Sequence, residues 1–536
     1  MKTATSGALV RVLKVSALLM AFGSPLALAS TLRIDNAGEP GTLDPQQAQG
    51  LWENHILQEM YEPLLTFDAK GNIIPGLASS WETSADGRKI TFHLRDAKWS
   101  DGQPITADDA VFGLQRTLLP DTANPNAYYY YPILNAEQIN QGKLPASALG
   151  VKALDAHTLE VTLTRPNSYI LAEFAAQPSV PLPKHSIKSL TNHSWSARQP
   201  VVSGPYLLDH WNPHVDVLLK KNPSFYNTDK VSIDNVVFYP IEDPLSAVNR
   251  YRTHTLDISY NQIPSARLAE LRKDMPSDVQ VFPSLSHYYY LPNMKEGQPL
   301  ADKRIREAMN MTVQREVITD KVLRNGYVPT TSILPRTMSK GAYAVDADFQ
   351  SWPMSQRIER ARQLMKEAGY DKDHPLALEM SFNSLDDHRR VAVAMAAMWK
   401  QIGVNVTLQT RDVANHYNSV KLGQFQLARH GTIPSIDNPV EMLAMFVSGS
   451  PDNRSGYTNP EFDRHVNSAI TAMSSEEAQR EWQAAQQIAM NDVVEIPVMD
   501  MAMAYLVSPA LKGWEPNPLD VHPLRYVSLQ NQSTQP

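Results

Sequence analysis

The chain has 536 residues and a formal charge of −7, from 49 Lys and Arg against 56 Asp and Glu. A net acid of this kind lacks the basic face by which proteins hold nucleic acid. The complete absence of Cys excludes disulfides, thiol nucleophiles, thiolate metal sites and attachment of lipid through a Cys. Hydrophobic residues make up 43% and charged residues 20%, ordinary globular proportions, and 39 Pro against 23 Gly favour stiff connections over glycine-rich phosphate loops.

At the N-terminus, Lys2, Arg11 and Lys14 surround or precede an apolar run from Val15 to Ala29, with no acid before Asp35. The run ends Ala27-Leu28-Ala29 before Ser30. A basic start, a short apolar core and small residues two apart make an export signal. Residues 1–29 are therefore expected to be removed, leaving a chain that begins near Ser30. The run is too short to span a bilayer of roughly 30 Å, and no later stretch approaches about 18 consecutive apolar residues. The expected product is a soluble, unlipidated monomer of roughly 500 residues, long enough for two or three domains. Residues 531–536 read as a disordered tail.

In chain order, Ile90, Phe92 and Leu94 alternate with polar neighbours, the period of a half-buried strand. Asp101-Gly102 marks a turn. Thr106 with Asp109 then resembles a capping box, opening a helix with Val111, Leu114 and Leu118 on one side. Leu159, Val161 and Leu163 alternate before Pro166 as another strand. Ile358, Ala361, Met365 and Ala368 mark an amphipathic helix ending at Gly369. Leu376, Leu378, Met380 and Phe382 then alternate. A helix from about Asp386 to Ile402 carries Val391, Met395, Met398 and Ile402 on one face, and Gly403 stops it before Val404, Val406 and Leu408 alternate again. Strand, helix and strand over about thirty residues predict a βαβ crossover with parallel strands. The fold class is α/β, with a sheet in each of two lobes.

Catalytic and metal patterns are missing from this sequence. It contains no G-x-S-x-G, H-E-x-x-H, Walker or G-x-G-x-x-G motif. The fifteen His are scattered, His185 and His193 match no metal spacing, and Asp108-Asp109 and Asp386-Asp387 suit helix openings. No catalytic residue, metal site or cofactor is assigned. Dispersed catalytic residues leave a secreted hydrolase open as an alternative.

Several blocks carry a family resemblance. Gly41-Thr42-Leu43-Asp44-Pro45, the run Gly76 to Glu82, and Thr91 to Gly102 with its core Phe92-His93-Leu94-Arg95-Asp96-Ala97 resemble the peptide/nickel class of solute-binding proteins. So do Gly150 to Ala153, His157 to Val161, Asn249 to Arg252, Tyr288 to Tyr290 and Val391 to Leu408, in collinear order. The chain is most similar to the oligopeptide-permease and murein-peptide binding proteins within that class. The resemblance implies a bilobal periplasmic-binding-protein-like clamp with an extra inserted domain. The first lobe would be 30–61, 184–285 and 504–536, the inserted domain 62–183, and the second lobe 286–503, with crossovers near Leu285 and Ala504. It implies a periplasmic, non-enzymatic protein that captures peptides by lobe closure and delivers them to the membrane permease of an ABC importer. A modified peptide, an opine-like acid, haem or a nickel chelate on the same fold is the alternative ligand, and a secreted hydrolase or chaperone the remaining one.

The resemblance also implies site residues. Phe425 to Pro439 corresponds to a segment that supplies an Arg, a Gly whose backbone pairs with peptide, and an Asp for the ligand ammonium. Arg429 and Gly431 match, whereas the Asp falls on Ser435, with Asp437 two residues on. His388 matches a His that reaches the ligand carboxylate, and Val420 replaces a second Arg used there. A disulfide of relatives corresponds to Ser286 and Ile433, so both halves are missing together. Tyr128 to Tyr131 and Tyr288 to Tyr290 are candidates for the pocket wall, Tyr289 among them, with alternate tyrosines of each run expected inside.

Overall fold

The computed structural model describes residues 29–530 apart from 49, 188 and 192–198. The export signal expected at 1–29 lies outside the described residues but for Ala29, as do His193 and the tail expected at 531–536. Among the described residues no helix is long and apolar enough to cross a membrane.

One mixed sheet of eleven strands runs through the molecule. Its middle is two long strands, Val279–Pro292 and Ile496–Val507, paired antiparallel from Val279↔Leu506 to Tyr290↔Ile496. On one side follow Ile258–Ser259, Thr31–Asp35, Asn235–Tyr239, Asp216–Lys221 and Tyr206–Asn212; on the other, Leu427–Thr432, Leu376–Asn383 and Val404–Arg411. A smaller antiparallel sheet orders Ala78–Thr83, Lys89–Leu94, Thr158–Thr162 and Val151–Asp155.

Local chemistry explains the elements. Thr106 and Asp109 form both halves of the expected capping box on helix Ala107–Thr117, whose apolar side enters the core beneath the small sheet. The βαβ unit is also present: Leu376–Asn383 and Val404–Arg411 pair parallel along their whole length, joined by helix Asp386–Lys400. Gly403 ends that connection at φ +82°, and a Cβ there would lie 2.7 Å from the Asp371 carbonyl oxygen, so glycine is required twice over.

The tyrosine runs differ from the expected alternation. Tyr288, Tyr289 and Tyr290 are all buried, because helices cover both faces of this part of the sheet. Tyr288 and Tyr290 pack with Met380, Val391 and Ile496 on one face, and Tyr289 with Phe462 and Trp482 on the other. Tyr128 to Tyr130 belong to a 3-10 turn, Ala127–Tyr130, with Tyr130 buried and Tyr128 exposed.

The long strand pair is interrupted once by more than a single step. Pro283 faces Ala502 and His287 faces Asp500, so Ser284, Leu285 and Ser286 have Met501 alone across from them. Such a bulge bends a strand and frees main-chain groups from the ladder. Here the Leu285 N–H donates to the Pro518 carbonyl (2.9 Å) and the Ser284 hydroxyl to the Met501 carbonyl (3.0 Å). The irregularity includes Leu285 on one strand and precedes Ala504 on the other.

Buried ion pairs join distant segments. Arg116, fully buried, donates to both Asp44 oxygens (3.0 and 2.6 Å) and to Gln46 Oε1 (2.6 Å), joining the helix under the small sheet to the segment after the first strand. Arg525 grips Glu62 with both terminal nitrogens. Beside the bulge, His287 bridges Asp500 (3.1 Å) and Glu495 (2.8 Å). Ser168 ties the small-sheet unit to helix Pro460–Thr471, donating from its N–H to the Ile470 carbonyl and from its hydroxyl to the Ala469 carbonyl, both at 2.8 Å.

Two stability predictions arise here. Arg116→Met strands Asp44 without its partner and should destabilise the chain by about 3–5 kcal/mol, read as a lowered calorimetric unfolding midpoint. The two carboxylates hold the His287 imidazolium against the opposing effect of burial and raise its pKa to about 9. Its stabilising contribution is therefore complete below the unfolded value near 6.5 and is lost as pH rises towards 9. The stability gap between wild type and His287→Asn should narrow over that window; a gap independent of pH would contradict the charged assignment.

Candidate functional site

A cavity of about 400 Å³ opens where the strand bulge meets four other segments. Ser284, Leu285 and Ser286 form one wall, and Ile433 to Ile436 another. His55 and Gln58 come from helix Leu51–Met60, Tyr129 and Glu173 from the small-sheet unit, and Asp520 and Arg525 from the C-terminal segment. The volume suits a small organic ligand, for which pockets run from about 300 to 1,000 Å³. Ser286 and Ile433, the two positions without cysteine, line this same cavity.

Ser435 lies on the cavity wall, and its N–H (2.6 Å) and hydroxyl both donate to the Glu441 carboxylate. An acid is thus present at Ser435 although the residue itself is neutral. Asp437 turns elsewhere, accepting from the Ser339 N–H at 2.6 Å, and is not among the residues lining the cavity.

Arg429 and His388 meet on the ring of Tyr288. The Arg429 guanidinium lies 4.6 Å from that ring centroid, a cation–π contact, and the His388 ring is 5.5 Å away. Arg429 donates to the Tyr417 hydroxyl (2.9 Å) and Asn383 Oδ1 (3.4 Å) and has no carboxylate partner among the described residues. Burial, reinforced by Arg429 and His416, pushes His388 down to about 3, so its imidazole is neutral at pH 7. His388 Nδ1 and Arg429 Nε have no hydrogen-bond partner among the described residues. This is a buried, donor-bearing, positively charged nook, which favours an anionic group.

Gly431 sits in strand Leu427–Thr432 opposite Tyr288. A Cβ there would come 3.0 Å from the His287 carbonyl oxygen and 3.3 Å from Arg429 Nη2, so a side chain would disturb the guanidinium. On its other edge this strand pairs with Leu376–Asn383 only through Leu427 and Ala428, leaving the Gly431 edge outside the ladder. Tyr289 is spent in the core, its hydroxyl bonding His430 Nδ1 (2.9 Å) and Thr432 Oγ1 (3.2 Å).

Sequence reasoning missed Asn383, His416, Tyr417, Glu173 and Glu441. The first three reach Arg429 through strand pairing and through helix Val413–Lys421, whose His416 Nε2 lies 2.9 Å from the Arg429 carbonyl oxygen. No local spacing signals such contacts. The pairing of Ser435 with Glu441, six positions apart, had a faint signal in the acid after Pro439-Val440.

Known proteins share this fold. The chain is 35% identical over 504 residues to the periplasmic oligopeptide-binding protein OppA of Salmonella typhimurium, covering 93% of this chain and 92% of that one. The crystal structure of Haemophilus influenzae OppA in complex with RPPGFSPFR superposes with a TM-score of 0.76 at 32% identity, over 94% of this chain and 99% of that one. The unliganded open form of the periplasmic murein tripeptide binding protein MppA superposes with a TM-score of 0.83 at 30% identity, over 94% and 98%. The model of the bacterial extracellular solute-binding proteins, family 5, matches residues 72–454, and the chain belongs to that family.

Proposed function

We propose that the chain is a periplasmic solute-binding protein that encloses a peptide between two lobes and hands it, chemically unchanged, to the permease of an ABC importer. The observation that carries this reading is the combination of a cleft at the bulge with Arg429, which has no carboxylate partner among the described residues, beside an open strand edge at Gly431. An extended ligand gains main-chain hydrogen bonds along such an edge whatever its side chains, while a carboxylate gains a charge-assisted bond to Arg429. His388, neutral and with a free ring nitrogen, is the second donor or acceptor for that end. We divide the chain into a first lobe of 30–61, 184–285 and 504–536, an inserted domain of 62–183 and a second lobe of 286–503. The bulge at Ser284 to Ser286 then lies at the crossover between lobes, where bending costs few ladder bonds.

Arg429→Ala should weaken a tripeptide with a free C-terminal carboxylate by about 2–5 kcal/mol, as expected for losing one partner of a buried charged pair. The amidated tripeptide should change little. Titration calorimetry on both ligands checks this, and equal losses would remove Arg429 from carboxylate recognition. Ligand should also compact the protein in small-angle scattering and be recovered intact by mass spectrometry; recovery of cleaved peptide would move the reading to a hydrolase.

A further inference from the structure

We propose that a second cavity, remote from the cleft and lined by Glu495, binds a small organic cation, an ammonium carried on an apolar body. Its volume is about 200 Å³, below the range of about 300–1,000 Å³ usual for larger ligands, so its occupant is of simple-amine size rather than a peptide. Four elements converge on it. They are helix Lys303–Met311, the 3-10 turn Asp348–Ser351, helix Ser475–Asp492 and the segment that opens strand Ile496–Val507. It shares no lining residue with the cleft.

Three acids, Glu307, Asp348 and Glu495, line this cavity, and no Lys, Arg or His does so among the described residues. Glu495 is only 2% exposed. Its Oε1 bonds His287 Nε2 at 2.8 Å, and among the described residues no other group donates to this carboxylate, which leaves Oε2 without a partner. His287 is shared with Asp500, so one imidazolium stands against two buried carboxylates and a negative charge is left over. Asp500 has its other oxygen filled by the Arg336 N–H at 3.1 Å and does not line the cavity. Glu495 is therefore where a further cation can reach the triad. A buried carboxylate with an incomplete counter-charge is costly, and an entering ammonium offsets that cost.

The guanidiniums nearby do not fill this role. Arg315 donates to the Pro497, Asn310 and Val313 carbonyls and to Asn310 Oδ1. Arg357 donates to the Trp352 and Gln350 carbonyls. Among the described residues no three acids or histidines are placed to hold a metal ion, so the three acids of the wall serve separate points of a larger cation. Met311, Trp352 and Met490 on the same wall supply surface for an alkyl or aryl body, and an indole face also attracts positive charge.

The probe is phenethylamine, with 2-phenylethanol as its neutral counterpart, titrated by calorimetry at pH 7 into wild type, Glu495→Gln and Ala347→Leu. Ala347 lines the cavity and takes no part in the His287 triad, so leucine there fills space and leaves the triad alone. Wild type should bind the amine about tenfold or more tighter than the alcohol, and each substitution should weaken the amine by a similar factor, as for loss of a buried ionic partner. Saturating amine should also lower the His287 titration midpoint, read from its imidazole resonances, because a second cation beside Glu495 disfavours the imidazolium. No amine binding to wild type, equal affinity for amine and alcohol, or binding indifferent to Ala347→Leu overturns the site. If Glu495→Gln does not fold, the His287 midpoint decides: a lowered value sustains the site and an unmoved one overturns it. No ligand of the cleft enters the test, so the outcome is independent of the peptide reading.

Discussion

The antiparallel pairing of Val279–Pro292 with Ile496–Val507 is the constraint on which the rest of the structure hangs. Its ladder resists stretching and sliding, because a one-residue slip would exchange the side chains between the two cores packed on its faces. It remains soft to bending where three residues face one at Ser284 to Ser286. The strands flanking the pair on either side, and the cores packed on them, inherit their separation from this one ribbon. The cavity forms at this bulge, so one of its walls and the interruption of the ladder are the same three residues.

Buried charge falls into two classes here. Arg116 with Asp44, and Arg525 with Glu62, are complete within the chain: both partners are withdrawn from water and aligned with at least two hydrogen bonds. Pairs of this kind add little net stability over apolar residues, but breaking one is costly. They therefore fix which segment sits on which. Arg429 and Glu173, like Arg306 and Arg315, belong to the other class, buried and lacking an ionic partner among the described residues. Such groups are retained against their desolvation cost, and perturbed environments of this type concentrate at functional sites.

Much of the fold was legible because its signals are local. The capping box at Thr106 and Asp109, the alternation from Leu376 to Phe382 and the helix stop at Gly403 each depend on residues within one turn or strand. The tyrosines from 288 to 290 were read by a half-buried period, which fails once helices cover both faces of a sheet. At the site, Arg429, Gly431 and His388 were reached through resemblance of their segments. Glu173 was not, since its place in the cleft depends on the path of the small-sheet unit and nothing around it in sequence distinguishes it from a solvated acid. The substitution of Asp by Ser435 was visible, but the Glu441 carboxylate that comes to it is a matter of loop shape.

The tie from Ser168 to the end of helix Pro460–Thr471 has a mechanical consequence. Because Arg116 fastens the small-sheet unit to the first strand's segment, any rotation that separates this unit from that helix must break the Ser168 contacts first. What is released is two peptide carbonyls at a helix terminus, which water can solvate at once. Exchanging such bonds for water costs only about 1 kcal/mol each, and the loss comes all at once at short range. The contact therefore works as a detent, a catch that defines one angle sharply and yields to a modest push, leaving the depth of the energy well to whatever occupies the cleft.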